Sequence, residues 1–145
     1  MKKASARQNV ALDHVSLPVA RLAAARKFYQ AALGALGMRI NLDVGSAFGM
    51  GSKKEKIFWI SHRRGAKGGA HHAFRVSRPL DVDAFHRAGL AAGGTDHGAP
   101  GPRPHYGPHY YAAFLTDPEG NNIEVVCYAK VAAPRRTAAK SRRAR

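Results

Sequence analysis

The sequence predicts an α+β domain made of two copies of a β-α-β-β-β unit. Two stretches, residues 22–36 and 81–92, carry apolar side chains at helical spacing. Each predicted helix follows one short stretch in which apolar and polar residues alternate, and each precedes three more short apolar stretches. Such short stretches are typical of β-strands. Because the same order of elements occurs twice, the chain reads as a duplicated supersecondary unit.

The first module is predicted over residues 9–62. Residues 12–19 form a strand with Val15, Leu17 and Val19 on one face. The alanine-rich stretch 22–36 forms a helix, which Gly34 loosens and Gly37 ends. Three strands follow, predicted over residues 38–43, 46–50 and 57–61.

The second module is predicted over residues 71–129, after a basic, glycine-rich linker at residues 63–70. A strand over residues 71–76 precedes the helix at 81–92. Residues 95–109 hold four prolines and three glycines, so we expect an irregular loop there with only a short strand near Thr95. Within this loop, residues 98–107 are a candidate lid over a site. A strand is predicted over residues 110–116.

The last strand follows a tight turn, Asp-Pro-Glu-Gly at residues 117–120, in which proline and glycine supply the backbone angles of the reversal. Over residues 123–128, Ile123, Val125 and Cys127 share one apolar face, which should pack on a helix. Cys127 is the only cysteine, which excludes an intrachain disulfide, and it reads as a small core residue. Glu124 points the other way among apolar neighbours, where an ionised carboxylate requires a compensating partner.

Three predicted strands carry one metal-binding residue type each on the face away from the helices: His14, His71 and Glu124. His72 falls on the helix side and is not a candidate. Two imidazoles and a carboxylate suit non-haem iron, and also zinc, manganese or nickel. The alternative remains open that these are ordinary hydrogen-bonded or surface residues, because eight histidines in 145 residues make coincidences easy.

The net charge of +15 is concentrated at the ends of the chain. Residues 1–8 form a basic arm, and residues 130–145 form a basic segment too poor in large apolar groups to fold alone. Such tails affect solubility and can contact nucleic acid non-specifically. No apolar run reaches the length of a membrane span and no secretory signal is visible, so we expect a cytoplasmic protein without membrane contact.

Three motifs stand out: Leu-Asp-His-Val-Ser-Leu-Pro-Val at residues 12–19, Phe28-Tyr29 in the first helix, and Asp-Pro-Glu-Gly-Asn-Asn-Ile-Glu at residues 117–124. Together with the paired modules, they resemble the vicinal oxygen chelate superfamily, which includes glyoxalase I, bleomycin-resistance proteins and extradiol dioxygenases. The resemblance covers residues 9–129. It implies that the paired modules form a cup-shaped mixed sheet with the helices outside, and that the protein is a homodimer.

The resemblance also implies a divalent metal ion held by His14, His71 and Glu124. Glyoxalase I adds a carboxylate ligand on the last strand of the first module, near the position that Trp59 occupies here. The implied activity is metal-dependent chemistry on a small molecule with vicinal oxygens, of the lyase, isomerase or ring-cleaving dioxygenase type. The alternative is a non-catalytic protein of the bleomycin-resistance type, which sequesters a small molecule or drug.

Further site residues are expected around such a metal. His105 or His109 is a candidate general base, with Tyr110 as an orienting hydroxyl. Arg75 shares the face of His71 and is expected either to bind a substrate carboxylate or to neutralise Glu124. Aromatic residues are candidates for the walls of a cleft, or alternatively for the core: Phe48, Trp59, Tyr110 and Phe114.

Overall fold

The computed structural model describes residues 10–130, which form two four-stranded mixed sheets and two α-helices. In both sheets the first strand of a module pairs in parallel with its last strand, and the other pairs are antiparallel. The strand orders are β1-β4-β3-β2 and β5-β8-β7-β6. The predicted α+β class and the repeated β-α-β-β-β order are therefore confirmed.

The first module contains four strands and one helix, followed by a 3-10 turn at Gly34–Leu36. Its elements are β1 (Val15–Val19), α1 (Leu22–Ala32), β2 (Arg39–Asp43), β3 (Ala47–Gly51) and β4 (Phe58–His62). The helix is shorter than predicted because Gly34 interrupts it and Gly37, with φ of +83°, ends the 3-10 turn in the left-handed region.

The second module has the same composition. Its elements are β5 (His71–Val76), α2 (Pro79–Ala91), β6 (Thr95–Pro102), β7 (Tyr111–Thr116) and β8 (Asn122–Cys127). The prediction of a mainly irregular loop after Thr95 is wrong, because β6 runs to Pro102 along β7. Two register shifts, between Asp96 and Gly98 and between Gly98 and Gly101, allow this glycine- and proline-rich strand to pair. The first half of the predicted lid at residues 98–107 therefore belongs to the sheet.

The core lies where the helices pack on the sheets and on each other. The faces predicted to be apolar are buried, with Leu17, Val19, Val125 and Cys127 all at most 2% exposed. Gly89 lets α2 pack closely on β7 and α1, because a Cβ there would lie 2.3 Å from Leu115 Cδ1 and 3.3 Å from the Cβ of Ala32. No helix within residues 10–130 is long and apolar enough to cross a membrane.

The turn before β8 joins the two modules through a buried hydrogen-bond cluster. The carboxylate of Asp117 is 4% exposed and accepts a 2.5 Å hydrogen bond from the hydroxyl of Tyr29 on α1. It also accepts from the backbone amides of Glu119 and Asn121 and from Asn121 Nδ2, each at 2.8 Å. Burial and the neighbouring carboxylate of Asp117 raise the pKa of Tyr29, so this phenol remains a donor.

Glu119 makes the second link between the modules. Its carboxylate accepts hydrogen bonds from the backbone amides of Ala20 (3.2 Å) and Arg21 (3.0 Å) and from Arg21 Nε (3.2 Å), just before α1. Burial alone would raise the pKa of Glu119, but these donors outweigh it and hold the pKa below the ordinary 4.5.

Tyr29→Phe should lower the free energy of unfolding by about 1–3 kcal/mol, because it removes one donor from a buried carboxylate without opening a large cavity. Urea titration at pH 7 measures the change. Tyr106→Phe, which alters a phenol that is 62% exposed, serves as the matched control and should leave stability unchanged. Equal stability of the two variants would contradict the proposed strength of the Tyr29 bond.

The contribution of Glu119 to stability should depend on pH. Since its pKa is lowered in the folded chain, the stabilisation is complete above about pH 4.5 and is lost as pH falls through the folded pKa. Glu119→Gln should therefore be less stable than the parent chain at pH 6, and the difference should shrink towards pH 3. Urea titrations of both chains across this range test it, and a constant difference would exclude the linkage.

Candidate functional site

Glu124 lies in the middle of the second sheet, on the face away from the helices. In the strand register it stands opposite Ala73 on β5 and opposite Phe114 on β7. It is only 3% exposed. The alternation of β8 directs Ile123 and Val125 into the core and so forces this carboxylate to the opposite face.

Two side chains compensate the buried carboxylate. His71 Nε2 lies 2.9 Å from Glu124 Oε2, and the hydroxyl of Tyr110 donates a short hydrogen bond to Oε1. His71 itself remains about half exposed, with 53% of its side-chain surface accessible. Burial, followed by the hydrogen bond to Glu124, raises the pKa of Tyr110 well above its ordinary value, so the phenol keeps its proton at neutral pH.

An open cleft of about 400 Å³ lies beside this group. Its walls combine imidazoles, aromatic rings and one guanidinium, and no Asp or Glu of the described residues lines it. The lining residues are His71, His97, Gly98, Arg103, His105, Tyr106, Phe114 and Asn122. The rings of His71 and Phe114 are 6.5 Å apart between centroids, so they form adjacent parts of the wall.

Four rings, those of His105, Tyr106, Tyr110 and Tyr128, contact one another in a row at tilted or edge-on angles. The ring of Tyr106 lies 4.1 Å from that of His105 and 5.2 Å from that of Tyr110. Tyr110 in turn makes an edge contact with Tyr128 at 5.2 Å, and the Arg75 guanidinium lies 4.6 Å from the centre of the Tyr128 ring. Tyr110 is thus fixed on both sides, with its hydroxyl on Glu124.

His14 lies away from His71 and Glu124 within the chain. It is 53% exposed and bonds through Nδ1 to the carboxylate of Asp13 at 2.5 Å. It lines a different, wider cleft of about 710 Å³ together with Trp59, Lys54 and Lys56. Trp59 lies flat against β3, since a Cβ on Gly49 would be 3.0 Å from the indole.

Only some of the other predicted site residues lie in the cleft beside His71. His105 and Phe114 line the cleft beside His71, whereas His109 lies in a separate cavity with Tyr111 and Lys130. Arg75 is exposed and stacks on Tyr128, and it forms no ion pair with Glu124. Phe48 is fully buried under the Arg26 guanidinium and is a core residue, not a cleft wall.

No group of three or more His, Cys, Asp or Glu side chains within residues 10–130 is close enough to hold a metal ion. The pair formed by His71 and Glu124 nevertheless fits half of such a site. Two ligands at right angles, each about 2.1 Å from an ion, are about 3 Å apart, and the two donor atoms here are 2.9 Å apart. Within residues 10–130, these two donor atoms therefore have the spacing of two metal ligands, but no third His, Cys, Asp or Glu lies beside them.

A protein-family model matches most of the chain. The Glyoxalase/Bleomycin resistance protein/Dioxygenase superfamily model matches residues 11–125, which include all three predicted ligands. The chain belongs to this superfamily. No curated protein matches it in sequence.

Solved structures of the superfamily support the assignment. A glyoxalase/bleomycin resistance protein from Albidiferax ferrireducens T118 is 34% identical, with a TM-score of 0.69 over 79% of this chain and 96% of that one. A family enzyme from Burkholderia phytofirmans PsJN is 19% identical, with a TM-score of 0.64 over 83% of this chain and 100% of that one. A putative glyoxalase from Bacillus halodurans is 20% identical, with a TM-score of 0.64 over 82% and 96%. The last two show the shared fold.

Sequence reasoning missed His97, Arg103, Tyr106 and Asn122, which all line the cleft of His71. Three of them lie in the stretch that was expected to be an irregular loop. Asn122 stands two residues before Glu124 in β8, so period-2 alternation places both on one face. That signal was available for Asn122, whereas the position of Arg103 depends on the bulged pairing of β6 with β7.

The raised pKa of Tyr110 can be measured directly. Because Glu124 contributes to the shift, Glu124→Gln should lower the pKa of this phenol in the folded chain without bringing it to that of a free tyrosine, since burial remains. NMR of tyrosine labelled with ¹³C at Cζ follows the titration, and Tyr110→Phe assigns the signal. An unchanged titration in Glu124→Gln would contradict the Tyr110–Glu124 bond.

Proposed function

We propose that this chain is a metal-dependent enzyme acting on a small molecule with vicinal oxygens. The observation that carries the proposal is the buried carboxylate of Glu124 with His71 Nε2 at 2.9 Å, beside an open cleft. A buried carboxylate is costly to maintain, and here the imidazole that compensates it, His71, lines an open cleft.

His71 and Glu124 would hold a divalent ion of iron, manganese, nickel or zinc through Nε2 and Oε2, the imidazole in its neutral form. When bound, the ion supplies a Lewis acid that polarises the oxygens of the substrate. Tyr110 has a positioning role in this proposal. By donating to Oε1, it fixes the rotation of the carboxylate and leaves Oε2 facing His71.

The third donor in the proposal is His14 of a second copy of the chain. His14 is half exposed, and it lies in a cleft whose other walls include Trp59, so a partner's second sheet facing this cleft would complete the ligand set. A homodimer with two such composite sites accounts for the distance between His14 and the His71–Glu124 pair within one chain.

The remaining roles follow from the lining of the two clefts. His105 is the better of the two predicted bases, because it lines the cleft of His71 and His109 does not. Phe114 and Trp59 offer flat apolar surfaces for the carbon skeleton of the substrate, one from each module.

Sequestration of a small molecule without catalysis is the second candidate. It is favoured by the lack of a third donor near His71 within residues 10–130 and by the aromatic row that borders the cleft. Under this reading, the bonds of Glu124 to His71 and Tyr110 shape a polar binding wall. The two candidates differ in whether the protein binds stoichiometric metal.

Metal analysis of the purified chain, after incubation with Fe(II), Mn(II), Ni(II) or Zn(II) and desalting, should give near one ion per chain. His71→Ala and Glu124→Ala should each remove it, since each deletes a direct ligand. His62→Ala, at the exposed end of β4, is the control and should keep the metal. Retention of the metal by His71→Ala would exclude the site, and failure of the parent chain to bind would favour sequestration.

Mixing two inactive variants tests the composite site. His14→Ala and Glu124→Ala should each fail to bind metal alone, but a mixed dimer has one intact site, with His14 from one chain and His71 with Glu124 from the other. Co-expression with two affinity tags isolates the mixed dimer for metal analysis. A mixed dimer without metal, or a His14→Ala chain that keeps its metal, would rule out His14 of a partner as the ligand.

A further inference from the structure

We propose that Arg103 binds a carboxylate group of the substrate in the cleft beside His71. This inference deepens the proposed function by naming the substrate class, a small carboxylic acid. It rests on the proposed function in one respect, because only an enzyme makes the bound acid a substrate. Neither the composition of the chain nor its motifs pointed to this arginine.

The guanidinium of Arg103 is held at the cleft wall by the backbone. Nη2 donates to the carbonyl of Ala99 at 2.7 Å, and Nη1 donates to that of Pro102 at 3.3 Å. The group also lies 5.7 Å from the centre of the Phe114 ring. Side-chain freedom is thus reduced before any ligand binds, which lowers the entropic cost of binding.

Two glycines of β6 provide the space for this guanidinium. A Cβ at Gly98 would lie 3.3 Å from Nη2 and 3.0 Å from Phe114 Cδ2, and a Cβ at Gly101 would lie 3.1 Å from Nη1. Gly98 also has φ of +156°, a conformation that other residues rarely adopt. The backbone of β6 therefore fits closely around the Arg103 guanidinium, as expected of a preorganised binding site.

Among the described residues, no carboxylate neutralises the charge of Arg103. Within residues 10–130 it forms no ion pair, although other arginines such as Arg21, Arg26 and Arg78 do. The cleft wall contributes three imidazoles and no acid. Arg103 is the one permanent cation among the described residues of this wall, and its planar guanidinium matches the two oxygens of a carboxylate.

A second observation also indicates a polar ligand in this cleft. Asn122 lines it, and Asn122 Oδ1 is buried without a hydrogen-bond partner among the described residues. A buried amide oxygen normally has a donor, so a ligand hydroxyl is a suitable partner. A small acid with a hydroxyl group would satisfy both Arg103 and Asn122.

Benzoate and its neutral analogue benzyl alcohol test the inference on the full chain. Calorimetric or NMR titration should show that benzoate binds and that benzyl alcohol binds at least about tenfold more weakly, since a charge-assisted bond is lost. Benzoate should also shift the Arg103 Nε–Hε resonance. Equal binding of the two probes, or a response to inorganic phosphate in preference to benzoate, would overturn the carboxylate assignment.

Variants locate the binding group. Arg103→Gln should weaken benzoate binding about tenfold or more, and Arg103→Lys should give an intermediate loss because it keeps the charge without the planar fork. Arg87→Gln, an equal change of charge on the exposed side of α2, is the matched control and should not alter it. Melting temperatures show whether each variant is folded, and a folded Arg103→Gln that binds benzoate like the parent would refute the proposal.

Failure of this inference can be separated from failure of the metal site. Arg103→Gln should keep its metal, because Arg103 is not a ligand, and the parent chain should bind benzoate both with added metal and after treatment with EDTA. Benzoate binding that disappears with EDTA and is unchanged in Arg103→Gln would show that the carboxylate does not bind at Arg103. If the parent chain binds no metal but binds benzoate through Arg103, the metal site is excluded and the carboxylate site at Arg103 is retained.

Discussion

The buried carboxylate of Asp117 is the interaction on which the rest of the structure depends. It receives the Tyr29 hydroxyl from the first module and three N–H groups from its own turn, so the loop between β7 and β8 and the helix of the other module share one acceptor. Glu119 adds a second link to the residues that precede α1. The relative position of the modules is therefore fixed by charge-assisted hydrogen bonds as well as by apolar packing.

The same turn sets the geometry of the candidate site. Asn121 Oδ1 accepts from the amide of Ala70 at 3.1 Å, and the amide of Asn122 donates to the carbonyl of Ala70 at 2.8 Å, so β5 and β8 begin in a fixed register. That register places His71 opposite Asn122, two residue pairs away from the pair of Ala73 and Glu124. The distance between the His71 imidazole and the Glu124 carboxylate therefore depends on the turn before β8, although Ala70 and Asn121 are not part of the candidate site.

Much of the fold could be predicted because its signals are local. Apolar alternation gave the faces of β1, β5 and β8, and helical spacing gave α1 and α2, since each pattern depends only on near neighbours. The burial of Glu124 opposite Ile123 and Val125 followed from the same rule. β6 was missed because glycine and proline normally interrupt strands, and its pairing with β7 depends on bulges that no local pattern encodes.

The sequence by itself determined the fold class, the duplication and the face of the sheet on which His71 and Glu124 lie, because side-chain alternation follows directly from strand geometry. Only the tertiary structure decided which of these residues meet. It brought Tyr110 and His71 to Glu124 and Arg103 to the same cleft, and it left His14 with Trp59 in another. The reason is physical: these contacts join residues that are far apart in the chain, and they depend on strand pairing and packing that the local pattern does not contain.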